Sequence, residues 1–244
     1  MIPSPLLTRR AALGLAAAAW PLAGQAFSLG GLIPVKGSGR VLTQTPELPP
    51  FTGLEVGDAL AVEIEQGQPP RLQLEGDDNL LALLDMEVRG GVLGLRQQRP
   101  FKATRLRIVV TVWQFDSIAV NGSAAVRAGT LVAKELQLRG GGSGVMSLGA
   151  LTAERVDLQG GGSTAIKLAG RANELHVSVG GSAAIAASAL QVRRVKVSAG
   201  GSAVVKVWAA DTLAGGVGGS AMLRYKGEPQ LSVSKSGAGR VSRL

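Results

Sequence analysis

The chain has no cysteine, a single histidine and a single tyrosine, and aromatic residues make up 3% of its 244 positions. Without cysteine there is no disulfide framework, no thiolate metal site and no lipid-modified cysteine. With so few aromatics, the core must be built from Val, Leu, Ile and Ala, which suits thin β layers. Apolar residues at 45% and charged ones at 18% exclude an intrinsically disordered chain. The one dense oxygen cluster, Glu75-Gly76-Asp77-Asp78-Asn79, lacks the alternate-residue spacing and distal Glu of a calcium loop. It reads as a polar turn, and neither a metal nor a cofactor is predicted.

What the chain does have begins with a leader. Thr8-Arg9-Arg10 runs into the uncharged stretch Ala11–Leu22 and then Gly24-Gln25-Ala26. This is the pattern of a secretory signal cleaved near Ala26, and Thr8-Arg9-Arg10-Ala11-Ala12-Leu13 fits the twin-arginine route. The apolar stretch falls short of the ~20 residues a spanning helix needs. The product is therefore expected in the periplasm or secreted. Loss of Arg9 and Arg10 takes the formal charge from +9 to +7, and such a protein is drawn to anionic polymers or lipid headgroups.

Residues 27–44, punctuated by Gly and Pro, read as a linker, and residues 45–244 as one domain. Its first part, 45–118, is irregular and strand-rich. Ala59–Glu65 and Arg71–Glu75 alternate apolar and polar residues around the turn Gly67-Gln68-Pro69-Pro70, and Val92–Leu95 and Leu106–Trp113 continue the pattern. Asn79–Val88 is the one stretch compatible with a short helix.

From residue 119 to 241 a Gly-Ser pair recurs at intervals of 18 to 20 residues, with serines at 123, 143, 163, 182, 202 and 220 and a Gly-Ala variant at 237–238. A fixed period of this length with short apolar alternation predicts an all-β stack, a parallel β-helix or solenoid of about 20-residue rungs. Three residues after each serine stand Val126, Met146, Ile166, Ile185, Val205 and Leu223, an inward column. Leu136/Leu138, Val156/Leu158, Leu175/Val177 and Val195/Val197 form a second. Each rung is thus expected to carry two strands with a glycine bend between them. Gly122, Gly142, Gly162, Gly181, Gly201 and Gly219 mark that bend. No helix start with Lys-Ser/Thr follows these glycines, which excludes a phosphate loop.

A row of serines invites a hydrolase reading, but His176 is the sole histidine and no serine sits in Gly-x-Ser-x-Gly. Serine hydroxyls bonded to the backbone or to each other account for the repetition. Outward charges alternate in sign between rungs, as in Glu135, Arg155, Glu174 and Arg194, which sets register and solubility. One column is unbalanced. Arg127, Ser147, Lys167, Ala186, Lys206 and Arg224 contain no acid and predict a basic stripe about 25 Å long. Read as a site, this stripe takes an acidic polysaccharide or a membrane surface; read plainly, it is a set of solvated cations that protect an outer strand from aggregation. Nucleic acid is not expected, because no aromatic stacking set accompanies it.

Phe51-Thr52-Gly53-Leu54-Glu55-Val56, Val62-Glu63-Ile64-Glu65-Gln66-Gly67, Glu75-Gly76-Asp77-Asp78-Asn79-Leu80, the Gly-Ser repeats and Tyr225-Lys226-Gly227-Glu228-Pro229 together resemble a bacterial family of exported proteins of unknown function. That family is described as putative auto-transporter adhesin, head GIN domain. The resemblance covers Val41–Val241. It implies a β-helical body of right-handed coil, an envelope location and no established catalytic residues. An auto-transporter's membrane barrel needs eight or more strands of about ten residues, more than the few residues after Gly239 supply, so a released or periplasmic binding module is expected. The expectation is a non-enzymatic, adhesin-like or structural envelope protein. The alternatives are a β-helix polysaccharide lyase or hydrolase and an architectural homo-oligomer subunit, with Lys226–Leu244 as a terminal cap.

Overall fold

The structure is a computed structural model that describes residues 33–244. The expected leader and the first part of the linker lie outside the described residues. The elements in chain order are β1 (Val35–Lys36), β2 (Val41–Gln44), β3 (Gly53–Val56), β4 (Ala61–Gln66), β5 (Arg71–Asp77), α1 (Asp78–Leu81), β6 (Leu84–Arg89), β7 (Val92–Gln97), β8 (Phe101–Lys102), β9 (Leu106–Val112) and β10 (Ser117–Val120). The long strands follow: β11 (Ala125–Gly140), β12 (Val145–Gly160), β13 (Ala165–Val179), β14 (Ala184–Ala199) and β15 (Val204–Val217), then β16 (Met222–Lys226), β17 (Gln230–Lys235) and β18 (Arg240–Arg243). They build a parallel β-solenoid of about 6 turns.

The length of the strands follows from their burial phase. In β11 the buried residues are Val126 and Ala128, then Leu131 and Ala133, then Leu136 and Leu138. A spacing of two keeps successive side chains on one side of a strand. The two spacings of three, after Ala128 and after Ala133, each turn the inward side through a corner. One continuous strand therefore lines three faces, where the repeat register led to an expectation of two strands per rung. In the sequence the first of these corners carries a glycine in three successive rungs, Gly129, Gly149 and Gly170, and the second only paired outward residues such as Lys134-Glu135.

The third corner is the Gly-Ser turn. Gly122, Gly142, Gly162, Gly181, Gly201, Gly219 and Gly237 all have φ between 62° and 65°, a left-handed conformation open to glycine at little cost. The position before them needs no such freedom, and there Asn121 instead directs its amide to Glu55. The corner stack starts one rung earlier than the Gly-Ser count implies. Asp58, with φ 57°, occupies the glycine position, and its carbonyl accepts the Ser123 N–H at 2.7 Å. Asp tolerates this conformation better than most residues.

Unequal repeats are absorbed at the other corners. β13 is one residue shorter than β12 and its register slips between Leu148 and Leu151, where Gly170 adopts φ 122°. β15 omits the three residues that β14 carries at Ser188–Leu190, so Trp208 pairs with Gln191.

At the N-terminal end, spatial order departs from chain order. On the third face the parallel sequence is β7, β3, β10, β11; on the first face it is β9, β4, β11. The chain lays down β3–β4, passes beneath them as β7–β9, and climbs back through Trp113–Asp116 to β10. Antiparallel strands close this end: β5 on β9, β2 on β5 and β6 on β7. The linker reading thus gives way, for residues 35–36 and 41–44, to strands with partners. The expected helix at 79–88 is confined to the four residues of α1. Beyond it Leu84, Met86 and Val88 alternate with Asp85, Glu87 and Arg89 in a hairpin turned by Gly90-Gly91. At the other end, β17 pairs with β15 and β18 with β16, both parallel. Lys226–Leu244 adds a further rung and does not cap the stack.

Candidate functional site

The first face carries two outward columns between β11 and β16. One is Ala125, Val145, Ala165, Ala184, Val204 and Met222; the other is Arg127, Ser147, Lys167, Ala186, Lys206 and Arg224. The strand ladder stacks the second column residue on residue, so four cations span about 24 Å at ~4.8 Å per rung. Arg127 and Lys167 are exposed, and Lys206 and Arg224 half-buried. Among the described residues none of the four has an ion pair, and no acid lies on this face between β11 and β16. The stripe stops at its N-terminal end, where Glu63 lies in register with Arg127 and is bonded by Arg107 at 2.7 Å.

Several charges on the other faces are paired across or along the rungs. Glu135, Arg155, Glu174 and Arg194 stack in register along the corner between the second and third faces. Arg194 bonds Glu174 at 2.6 Å, Arg155 bonds Asp157 at 2.8 Å, and Arg193 bonds Asp211 at 3.0 Å. The Arg155 guanidinium holds the Asp157 carboxyl below its ordinary pKa, and Arg194 does the same to Glu174.

The corner serines do not bond as expected. Their backbone N–H groups donate to the carbonyl one rung below, from Ser143 to Gly122 at 2.7 Å through Ser220 to Gly201 at 2.7 Å. Their hydroxyls are exposed and have no partner among the described residues. His176 is tied up separately. Its Nδ1 stands 3.1 Å from the Arg155 guanidinium and 3.2 Å from Asp157.

The acidic cluster is a clamp. Asp77 is fully buried and accepts the backbone N–H groups of Gly39 and Thr104, each at 2.8 Å. Burial raises its pKa, but these hydrogen bonds outweigh it and the carboxyl ends below its ordinary value. Asp78 binds Ser38 and Arg40, and Asn79 bonds the Lys36 carbonyl. These oxygens are committed to fastening residues 36–40 to the body of the fold.

The second face holds a groove that the repeat analysis missed, a cavity of about 710 Å³ floored by Ala133, Ala153, Ala172 and Val192. Its signal in the sequence was faint: an alanine column and two tryptophans with no apolar periodicity of their own.

The family described as putative auto-transporter adhesin, head GIN domain, matches residues 50–229. The chain belongs to this family. Among solved structures, a putative adhesin from Bacteroides fragilis is 23% identical with a TM-score of 0.79, covering 86% of this chain and 100% of the other. A putative adhesin from Parabacteroides merdae is 20% identical with a TM-score of 0.70, covering 86% and 98%. A putative lipid binding protein from Parabacteroides distasonis is 20% identical with a TM-score of 0.66, covering 87% and 100%. At these identities the likeness of the chain to these structures is one of fold. No curated protein matches it.

Proposed function

We propose that the chain is an exported, non-enzymatic, adhesin-like module that docks onto anionic surfaces through its first face. The observation that carries this reading is the cation column of Arg127, Lys167, Lys206 and Arg224, stacked on one face that holds no acid between β11 and β16 and without an ion pair among the described residues. The leader pattern and the family support export. The neighbouring Ala/Val column is low, so the longer cationic side chains reach a flat partner first. Each cation near an anionic membrane contributes about 1 kcal/mol, which gives modest, salt-sensitive affinity. An acidic polysaccharide offers the same carboxylate or phosphate chemistry.

The test is cosedimentation with phosphatidylglycerol vesicles and, in a parallel arm, retention on alginate, with phosphatidylcholine vesicles as control. Binding should fall steeply between low and moderate salt. It should drop at least tenfold when Lys167, Lys206 and Arg224 are all changed to Gln. Preference for one arm identifies the source of the anion. Salt-independent binding, or none in either arm, sinks the reading, and a stable oligomer that buries the column would favour the architectural role instead.

A further inference from the structure

The second face carries a different chemistry from the first. Its outer column runs Val132, Thr152, Arg171, Gln191 and Trp208 in strand register. Trp113 precedes it: the Gln66 side-chain amide donates to the carbonyls of both Trp113 and Val132 at 2.8 Å and accepts the Val132 N–H at 2.7 Å. The Gln66 side chain thus stands in for a strand and seats Trp113 beside the end of the groove. Trp113 is 54% exposed and Val132 53%. The chain has three tryptophans; of the two that are described, Trp113 is in line with Val132 through Gln66 and Trp208 stands in register with Gln191, so the column carries one beyond each end of the groove, and neither is part of its lining.

The opposite wall is Lys134, Glu154, Asn173 and Arg193, and the lining spans β11 to β15, a run of about 19 Å along the solenoid axis. The groove runs between these two outward rows, over the strand segments of Ala133, Ala153, Ala172 and Val192, whose side chains belong to the core; its volume of about 710 Å³ is within the range of ligand clefts. Its walls mix donors and acceptors: a hydroxyl, two amides, a carboxylate, an ammonium and two guanidinium groups, of which Arg193 is bonded to Asp211. Lys134 and Arg171 have no ion pair among the described residues. A pure anion would want donors alone, as on the first face. Mixed donors and acceptors between two indoles suit a polyhydroxylated chain, which hydrogen-bonds both ways and presents apolar ring faces.

We infer that the second-face groove binds a linear glycan laid along the solenoid axis, with Trp113 and Trp208 as stacking platforms and Arg171 and Gln191 bonding the sugars between them. This site is independent of the first face. The experiment is calorimetric titration of the full chain with cellohexaose, chitohexaose and hexagalacturonate at about 300 mM NaCl, where attraction to the first-face cations is screened. At least one hexasaccharide should bind saturably with one site. Trp113→Ala and Arg171→Ala should each weaken it about tenfold, and Thr152→Trp, which fills the groove, should abolish it. Circular dichroism confirms that each variant is folded. Lys167→Gln with Lys206→Gln should leave it unchanged, which separates this site from the proposed anionic surface. Absence of binding to all three sugars, binding indifferent to Thr152→Trp, or occupation of the groove by an extended peptide in their place would overturn the inference.

Discussion

Two residues with unusual surroundings dictate more than their size suggests. Of each Gly-Gly pair, the second member is the one the fold requires: at Gly142, φ is 64° and a Cβ would lie 2.6 Å from the Gly122 carbonyl oxygen. Gly142→Ala should lose about 2–3 kcal/mol in urea unfolding. Gly161→Ala, at the first member of its pair where a Cβ meets nothing within 4 Å, should stay within about 0.5 kcal/mol of the parent. Equal losses at both would show that the corner depends on chain flexibility and not on the left-handed turn. Asp77 gives a pH dependence. Its folded-state pKa lies below the unfolded value, so its stabilisation is complete above the unfolded pKa near 4 and is lost as pH falls through the folded pKa. Amides of the segment around Gly39 and Thr104 should therefore gain hydrogen exchange in acid before the regular rungs do. Asp77→Asn, which turns an acceptor into a partial donor facing N–H groups, should free the same segment at neutral pH. The Gly142 bend was readable from the repeat spacing, but the weight of Asp77 was not, because it sits in a run that also fits a solvent-exposed turn.

The rung is the element that carries this fold, and its inward columns were legible because aliphatic side chains recur in register. The other two corners were not: the one after Ala133 is a phase change that needs no special residue, and the glycines of the one after Ala128 do not recur in every rung. The charge ladder was legible for the same reason as the core: Glu135, Arg155, Glu174 and Arg194 occupy equivalent positions in successive rungs, and the structure stacks them. Arg155→Glu would place a carboxylate between Glu135 and Glu174 and remove the partner of Asp157. Thermal stability should fall at low salt and recover in part at high salt, because repulsion between exposed charges is screened. A salt-independent loss would assign Arg155 a packing role. Gln66 could not be read from the sequence at all, because its amide serves as a strand segment between residues 47 and 66 positions away. Gln66→Ala leaves the Val132 backbone groups to water and should cost about 0.5–1.5 kcal/mol.

At the scale of the whole molecule, the stack behaves in two ways. From β11 onward each rung packs chiefly against its two neighbours, so stability is close to a sum of rung and interface terms. In the N-terminal third the β7–β9 layer lies outside β3–β4, and the chain must close long loops to interlock them, an arrangement that no local pattern announces. This is why the regular half was legible as a solenoid and the first half only as strands. The difference predicts how damage spreads. Ile166→Ala, in a fully packed column of β13, should cost about 2–5 kcal/mol, with amide protection lost in β12, β13 and β14 and little changed in β4 and β9. Ile64→Ala, in β4 between β9 and β11, removes an equally buried side chain, but its loss should release β3, β5, β7 and β9 together. Hydrogen exchange followed by mass spectrometry reads both patterns. If Ile166→Ala opened the N-terminal layers as readily as its own rung, the solenoid would be one cooperative unit, and the long-range order would have to come from the continuous aliphatic core and not from nearest-neighbour stacking.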